Sequence, residues 1–207
     1  MAVDLSSHEL TLGGRSQTQT DEHALLERAR SGDRRAFDLL VRREAPRVER
    51  LLRRLLGNRD DFDDLLQTVF VELCKALPKF RGESSLSTFV GGITVRVANR
   101  AMRKSAFFRY RADASAGESY ISAAPDPASE TAAKRQLEHT RRVLDQIKPK
   151  KRTAFILWAL EGMAIDEIAD LTGASVAATR SRIFHAQKEL RSKAARDPHL
   201  AELVGAP

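Results

Sequence analysis

The chain has 207 residues, of which 42% are hydrophobic and 30% are charged, and its 35 Lys and Arg outnumber 28 Asp and Glu to give a formal net charge of +7. No run of about 18 apolar residues is present, and the N-terminus lacks a basic start followed by an apolar stretch, so we expect neither a membrane span nor a secretory signal. The basic balance favours a polyanionic partner, and the cytoplasm is the expected compartment.

Residue types that support catalysis or metal binding are sparse. The single cysteine, Cys74, excludes an internal disulfide and a Cys-pair zinc site, and we expect it to be a half-buried core residue. The five histidines are scattered without metal-ligand spacing, and no phosphate-binding loop of Walker type is present. The sequence therefore predicts a protein that is not an enzyme and that needs no cofactor or metal.

Hydrophobic spacing in the N-terminal half predicts four helices. Asp21 caps a short first helix, and a second carries apolar residues three and four apart over residues 37–55. Pro46 is expected to kink or split that second helix, and Gly57 to end it. A third helix is expected over residues 63–77, stopped by Pro78.

The fourth helix is expected to follow a polar loop at residues 79–85. Its apolar stripe runs over residues 86–97, and its other face carries Arg96, Arg100 and Arg103. The following segment, residues 112–130, has turn-type composition and no apolar periodicity, which predicts a flexible linker.

The C-terminal half is also predicted to be helical. Leu144 and Ile147 belong to one helix, Pro149 lies in the break after it, and Gly162 ends a second helix over residues 150–160. The fold class is therefore all-α, with two small helical domains joined by a linker. The predicted divisions are a disordered tail at 1–20, a first domain at 21–111, the linker at 112–130, a second domain at 131–196 and a C-terminal tail at 197–207.

Residues 165–190 read as helix, turn, helix. Gly173 suits the positive φ of a tight turn, and Ser175 is placed to cap a final helix of about 18 residues. Val176 and Ile183 are expected to face inward, which leaves a polar and basic outer face able to enter a major groove. The alternative is a plain helical hairpin with a solvated basic face.

Two further segments each allow two interpretations. The loop that begins at Phe80 lies beside the arginine-bearing helix and suits a flipped-out base with backbone phosphates, or else is an ordinary loop with Phe80 in the core. The acidic run at residues 60–64 complements a helix dipole, or else is a docking surface for a basic protein.

The motifs together resemble a known family. Asp63-Asp64-Leu65-Leu66-Gln67-Thr68-Val69-Phe70, with Leu77-Pro78-Lys79-Phe80-Arg81-Gly82-Glu83-Ser84-Ser85 and Thr88-Phe89, resembles region 2 of bacterial sigma factors of the extracytoplasmic-function (ECF) subfamily of the sigma-70 family. Leu160-Glu161-Gly162-Met163, Glu167-Ile168-Ala169 and Arg180-Ser181-Arg182-Ile183-Phe184 resemble region 4. The match covers residues 21–193.

The resemblance implies a specificity subunit of RNA polymerase that initiates transcription and is not itself an enzyme. Region 2 would dock on the β′ coiled coil and would read and melt the −10 promoter element. Region 4 would bind the β flap and read the −35 element. An anti-sigma factor is a further implied partner.

Site residues follow from the motifs and the helix faces. The expected polymerase-binding residues are Asp63, Asp64, Gln67 and Glu72. The expected −10 residues are Phe80, Arg81, Ser84, Ser85, Arg96, Asn99, Arg100 and Arg103. The expected −35 residues are Ser175, Arg180, Ser181, Arg182, Phe184, His185 and Lys188.

Some positions depart from the family pattern. Phe89 follows Thr88 where the family often has Trp, and Thr179 replaces a usual Val. Trp158 stands where some relatives have an Arg aimed at DNA, so the −35 contacts cannot be copied wholesale. Gly91-Gly92 interrupts the basic helix, at a cost of about 1 kcal/mol each relative to Ala, and indicates either close packing or a pliable helix.

Two other classes of protein compete with this interpretation. A two-domain helix-turn-helix regulator would bind DNA without polymerase, and it would leave the −10-like loop and the acidic helix without a use. A helical adaptor without nucleic acid would require all the basic clusters to be solvated faces.

Overall fold

A computed structural model describes residues 23–57, 59–115 and 132–196, with side chains described over 23–57, 59–107 and 139–196. Within these ranges the chain is built of α-helices and one 3₁₀ turn, without strands, as the sequence predicts. The predicted tails, most of the linker and the predicted start of the first helix lie outside the described residues.

The first four helices form the N-terminal domain. They are α1 (residues 23–30), α2 (Arg34–Leu56), α3 (Phe62–Ala76) and α4 (Leu86–Ser115), with a 3₁₀ turn (Leu77–Lys79) after α3. The α2 helix is one continuous helix that contains Pro46, so the proline does not split it. Asp33 caps it by accepting hydrogen bonds from the backbone N–H groups of Arg35 and Ala36.

The α4 helix is longer than its apolar stripe indicates. It continues to Ser115, four residues past 111, where the first domain was predicted to end and the linker to follow. Residues 112–115 include two alanines, whose high helix propensity favours this extension.

The last four helices form the C-terminal domain: α5 (Ala132–Asp145), α6 (Pro149–Ala159), α7 (Ile165–Thr172) and α8 (Val176–Ala194). Pro149 is the first residue of α6 and not part of the preceding break, because a helix start does not need the missing N–H. Gly162 has φ +65° but lies two residues beyond the C-cap, Leu160. Gly173 caps α7 with φ +61°, as expected for the tight turn before α8.

The two domains share one apolar core. The α2 and α3 helices pack on α4, and α6 packs on α8. The same buried cluster then continues from Val90 and Ile93 of α4 to Leu157 of α6 and Leu171 of α7. Because α4 packs against both α6 and α7, it is the central element on which the two candidate DNA-binding segments are placed.

Candidate nucleic-acid interface

The loop before α4 is held by its own polar residues. Ser85 Oγ accepts a hydrogen bond from the backbone N–H of Thr88 at 3.1 Å and lies 2.8 Å from the Thr88 hydroxyl. Ser85 therefore caps the start of α4, a role that the sequence analysis missed although Ser before an apolar helix start is its usual signal. Ser84, Arg81 and Glu83 are exposed, and Gly82 has φ +75°.

An aromatic pair forms the wall of this loop. Phe80 is buried, as expected if the segment is an ordinary loop with Phe80 in the core. The centroid of its ring lies 4.7 Å from that of half-buried Phe89. A cavity of about 310 Å³ opens between this pair and four exposed polar side chains, Lys79, Arg81, Glu83 and Ser84, so one carboxylate lies among the cations. An aromatic wall beside cationic side chains suits an unstacked base and its phosphates.

The three arginines on the basic face of α4 are exposed as predicted, but Arg100 is already paired, and the neighbouring Asn99 is partly buried and paired. Arg96, Arg100 and Arg103 are exposed, and Arg100 Nη1 donates to Glu72 Oε1 at 2.6 Å. Asn99 is half-buried, and its Oδ1 accepts a hydrogen bond from Thr153 of α6 at 3.0 Å.

The outer face of α8 brings together most of the predicted −35 residues. Ser175 Oγ accepts from the backbone N–H of Ala178 at 3.2 Å, which confirms the predicted cap. Arg180, Ser181, His185 and Lys188 are exposed, and Phe184 is 62% exposed with its ring 5.6 Å from that of His185. Five side chains of varied polarity thus share one solvent-facing surface.

Two residues of α8 lie elsewhere than predicted. Val176 is 43% exposed, because the buried stripe begins one turn later, at Thr179, and continues through Ile183 and Ala186. Arg182 is half-buried and lines a cavity together with Arg96 and Arg103 of α4, so it lies beside the predicted −10 residues and not on the outer face.

The predicted polymerase-binding residues lie along α3. Asp63, Asp64 and Gln67 are exposed on its first turns, whereas Glu72 is half-buried and carries the ion pair with Arg100. Cys74 is exposed, which corrects the expected half-buried position. Leu73 lies on the buried face of α3, whereas the next residue, Cys74, lies on its exposed face.

Electrostatics distinguish the acids at the start of α3. Arg59 donates to both carboxylate oxygens of Asp61, from Nε at 2.7 Å and from Nη2 at 2.9 Å. This pairing lowers the pKa of Asp61 and raises the pKa of Arg59. Asp61 is the N-cap residue of α3 but makes no capping hydrogen bond with its side chain. The acids left for a partner are therefore Asp60, Asp63 and Asp64.

Two other kinds of feature are missing from the described residues, a metal site and a membrane-spanning helix. No group of three or more His, Cys, Asp or Glu side chains is arranged there to hold a metal ion. In the same part of the chain, no helix is both long enough and apolar enough to cross a membrane.

Comparison with known proteins gives consistent matches for both domains. Residues 40–108 match the family model for Sigma-70 region 2, and residues 137–190 match the model for Sigma-70, region 4. The chain is 30% identical over 180 residues to the RNA polymerase sigma-H factor of Pseudomonas aeruginosa, covering 84% of this chain and 93% of that protein. It is 29% identical over 182 residues to the ECF RNA polymerase sigma-E factor of Haemophilus influenzae, covering 84% and 96%.

Solved structures share the fold. The structure of CnrH in complex with the cytosolic domain of CnrY matches with a TM-score of 0.55 and 25% identity over 84% of this chain and 97% of that one. The sigma factor RpoE of Bartonella quintana, crystallised with the anti-sigma factor NepR, matches with a TM-score of 0.51 and 21% identity over 74% and 91%, which supports the fold alone.

Proposed function

Because the chain belongs to the ECF subfamily of the sigma-70 family of RNA polymerase sigma factors, we propose that it binds core RNA polymerase and starts transcription at promoters whose two elements it reads with α4 and α8. The observation that carries this proposal is that one chain contains both an exposed acidic face on α3 and exposed basic faces on α4 and α8. A regulator that binds DNA without polymerase would have no role for the acidic face on α3.

The −10 element is read by the loop at residues 80–87 and the start of α4. A non-template base unstacks, at a cost of a few kcal/mol, and enters the cavity beside Phe80 and Phe89. The exposed Arg96, Arg100 and Arg103 bind the backbone phosphates of the melted strand, which makes binding salt-dependent. The shared aromatic wall favours stacking with the flipped base, while Arg81, Ser84 and Ser85 supply its polar contacts.

The −35 element is read by the outer face of α8. The Ser175 cap leaves the positive end of the helix dipole near phosphate. Arg180 makes a bidentate contact with a guanine, Ser181, Phe184 and His185 contact neighbouring base edges, and Arg182 and Lys188 bind phosphate. Arg182 must turn away from α4 to do so, because it lines the cavity between the domains.

Polymerase docking uses the first turns of α3. Asp63, Asp64 and Gln67 offer exposed carboxylates and an amide to a basic surface of the β′ coiled coil, and region 4 binds the β flap. The Glu72 carboxylate pairs with Arg100 in this structure. When Arg100 binds DNA instead, Glu72 becomes available for the β′ contact. In this proposal the chain supplies specificity and strand opening, and polymerase supplies the catalysis.

An anti-sigma factor is proposed as a second protein partner. The similarity to CnrH, whose solved structure contains the cytosolic domain of a second protein, CnrY, supports a protein partner besides polymerase. It would compete with polymerase for the chain.

Mapping transcript start sites after overproduction of the chain tests the proposal. The expected result is a set of new start sites that share two short sequence elements at a fixed spacing upstream. New transcripts without shared upstream elements, or repression alone, would support the helix-turn-helix regulator instead.

A further inference from the structure

Two adjoining cavities lie where α7 meets α4. A glycine pair lets the helices approach: a Cβ atom added to Gly91 would lie 2.7 Å from Leu171 Cδ1, and one added to Gly92 would lie 3.3 Å from the Leu171 carbonyl oxygen. This approach brings the end of α7 beside the basic face of α4. The two cavities form one continuous cleft, because three residues line both of them: Arg96, Thr172 and Gly173.

One of these spaces, hereafter the cationic cavity, is surrounded by positive charge. It measures about 230 Å³, and among the described residues no carboxylate lines it. Arg100 is paired with Glu72, whereas no ion pair joins the other four cations to an acid within the described ranges. Like charges around one small space repel each other, so an anion with several negative charges is favoured there. The five cations come from α4, α6 and α8: Arg96, Arg100, Arg103, Lys150 and Arg182.

The second space, hereafter the polar cavity, has a different lining. It measures about 750 Å³ and combines two exposed carboxylates, Glu83 and Asp170, with the half-buried ring of Phe89. Unlike the cavity beside Phe80, it is also lined by residues of α7. Carboxylates disfavour a phosphate but accept hydrogen bonds from the hydroxyl groups of a ribose, and an aromatic ring offers a face to a base. Four hydroxyl groups complete the lining: those of Ser84, Ser85, Thr88 and Thr172.

We propose that this cleft binds a free nucleoside diphosphate or triphosphate, with its phosphates in the cationic cavity and its nucleoside in the polar cavity. The charge along the cleft changes in the same order as the charge along such a molecule. A DNA strand fits less well, because it has a phosphate on each side of every sugar and its sugars lack the 2′-hydroxyl. The site extends beyond the proposed function and does not depend on it.

The phosphate end is tested with Lys150→Ala. Lys150 is exposed on α6 and is not among the residues proposed to read DNA. We expect the variant to bind both ADP and inorganic diphosphate roughly fivefold more weakly or worse, because both place phosphates in the cationic cavity. Lys148→Ala is the matched control, because it removes the same charge from an exposed position that lines neither cavity and should change neither affinity.

The nucleoside end is tested with Asp170→Ala, which separates a contact from an effect of net charge. Loss of an acid should strengthen the binding of any anion, so electrostatics alone predicts tighter binding of every probe. We expect inorganic diphosphate to bind unchanged or more tightly, but ADP and GDP to bind roughly fivefold more weakly because the ribose loses a charged acceptor. Asp166→Ala removes the same charge from an exposed position of α7 outside both cavities, and it is the control.

Isothermal titration calorimetry of the full chain, without DNA or polymerase, measures these affinities. We expect the wild type to bind ADP or GDP more tightly than inorganic diphosphate, with losses in both cavity variants and in neither control. Absence of nucleotide binding, or nucleotide binding that Lys150→Ala leaves unchanged, would overturn the site. Nucleotide binding that Asp170→Ala leaves unchanged or strengthens would show attraction of polyanions only, and would overturn it too.

A short single-stranded DNA is the last probe, because it distinguishes a free nucleotide from a nucleotide within a strand. We expect ADP to bind with the strand absent and to lose affinity in Asp170→Ala, while binding of the strand does not weaken in that variant. A strand that displaces ADP and binds more tightly than either nucleotide would assign the cleft to DNA and overturn the proposal. Failure of the nucleotide site would leave promoter recognition unaffected, since this assay contains neither promoter nor polymerase.

Discussion

Arg180 and Lys188 are both exposed on α8, but their chemistry separates their roles. A guanidinium that contacts a guanine with two hydrogen bonds contributes about 1–3 kcal/mol of discrimination, whereas an ammonium on a phosphate contributes affinity without sequence preference. Arg180→Ala should therefore relax specificity at one base pair of the −35 element. Lys188→Ala should weaken all promoters alike and lower the salt slope by about one unit.

Transcription from a set of single-base −35 variants measures both effects, and each variant serves as the control for the other. A uniform loss for Arg180→Ala across the whole set would contradict its assignment as a base-reading residue.

Thr179 presents a buried hydroxyl that lacks a partner. The residue is fully buried on the inner face of α8, and its Oγ1 has no hydrogen-bond partner. Thr179→Val removes a desolvated polar group at nearly constant volume, so we expect the free energy of unfolding to rise by about 1 kcal/mol. Chemical unfolding of the full chain measures the change.

Thr172→Val is the matched control, because the Thr172 hydroxyl donates to the Ile168 carbonyl at 2.8 Å and its loss gives no such gain. Destabilisation by Thr179→Val as large as that by the control would refute the account of Thr179.

Among the helices, α3 combines a buried apolar face with an exposed acidic start, which is the surface proposed to dock on polymerase. Asp64 is exposed on its first turn, so Asp64→Arg should weaken binding to core polymerase several-fold while the domain remains folded. The reversal also loses a favourable interaction with the helix dipole, of about 0.3–1 kcal/mol, which thermal melting will register. Asp38→Arg makes the same charge change at an exposed position of α2 and should leave polymerase binding unaltered.

Competition against a labelled wild-type chain for core polymerase measures this effect. If a double reversal at Asp63 and Asp64 competes as well as the wild type, α3 is not the docking surface.

We expect the loop before α4 to determine the −10 preference of the protein. Ser85 and Phe80 fix its two ends by capping and burial, and the exposed residues between them are free to differ without unfolding the domain. Replacing residues 81–84 with those of a relative that has another −10 preference should transfer that preference, as measured on promoters of both kinds. An unchanged preference would move −10 recognition away from the loop.

Over the whole chain, the sequence predicts which face of a helix is buried better than it predicts contacts between residues far apart in sequence. Spacing identified the buried stripe at Ile183 and the exposed face at Arg180, because helical periodicity depends only on neighbours in the chain. Exposure of Val176 and Cys74 was missed, since a periodic position is buried only if another element covers it.

Helical spacing could not predict contacts between residues that lie far apart in the chain. The Glu72–Arg100 pair joins α3 to α4, and the Thr153–Asn99 bond joins the two domains. Neither spacing nor composition contains the tertiary arrangement that makes these residues neighbours. The glycine pair was noticed as an interruption, and its use became visible only when Leu171 was found against it.

In the proposed function, this chain makes core polymerase specific for a promoter. The direct measurement is run-off transcription with purified core polymerase and the purified full chain, on a promoter taken from the mapped start sites. We expect a defined transcript only when the chain is present, and we expect that transcript to be lost when either the −10 or the −35 element is scrambled. A chain that footprints the promoter alone but yields no transcript with core polymerase would contradict it.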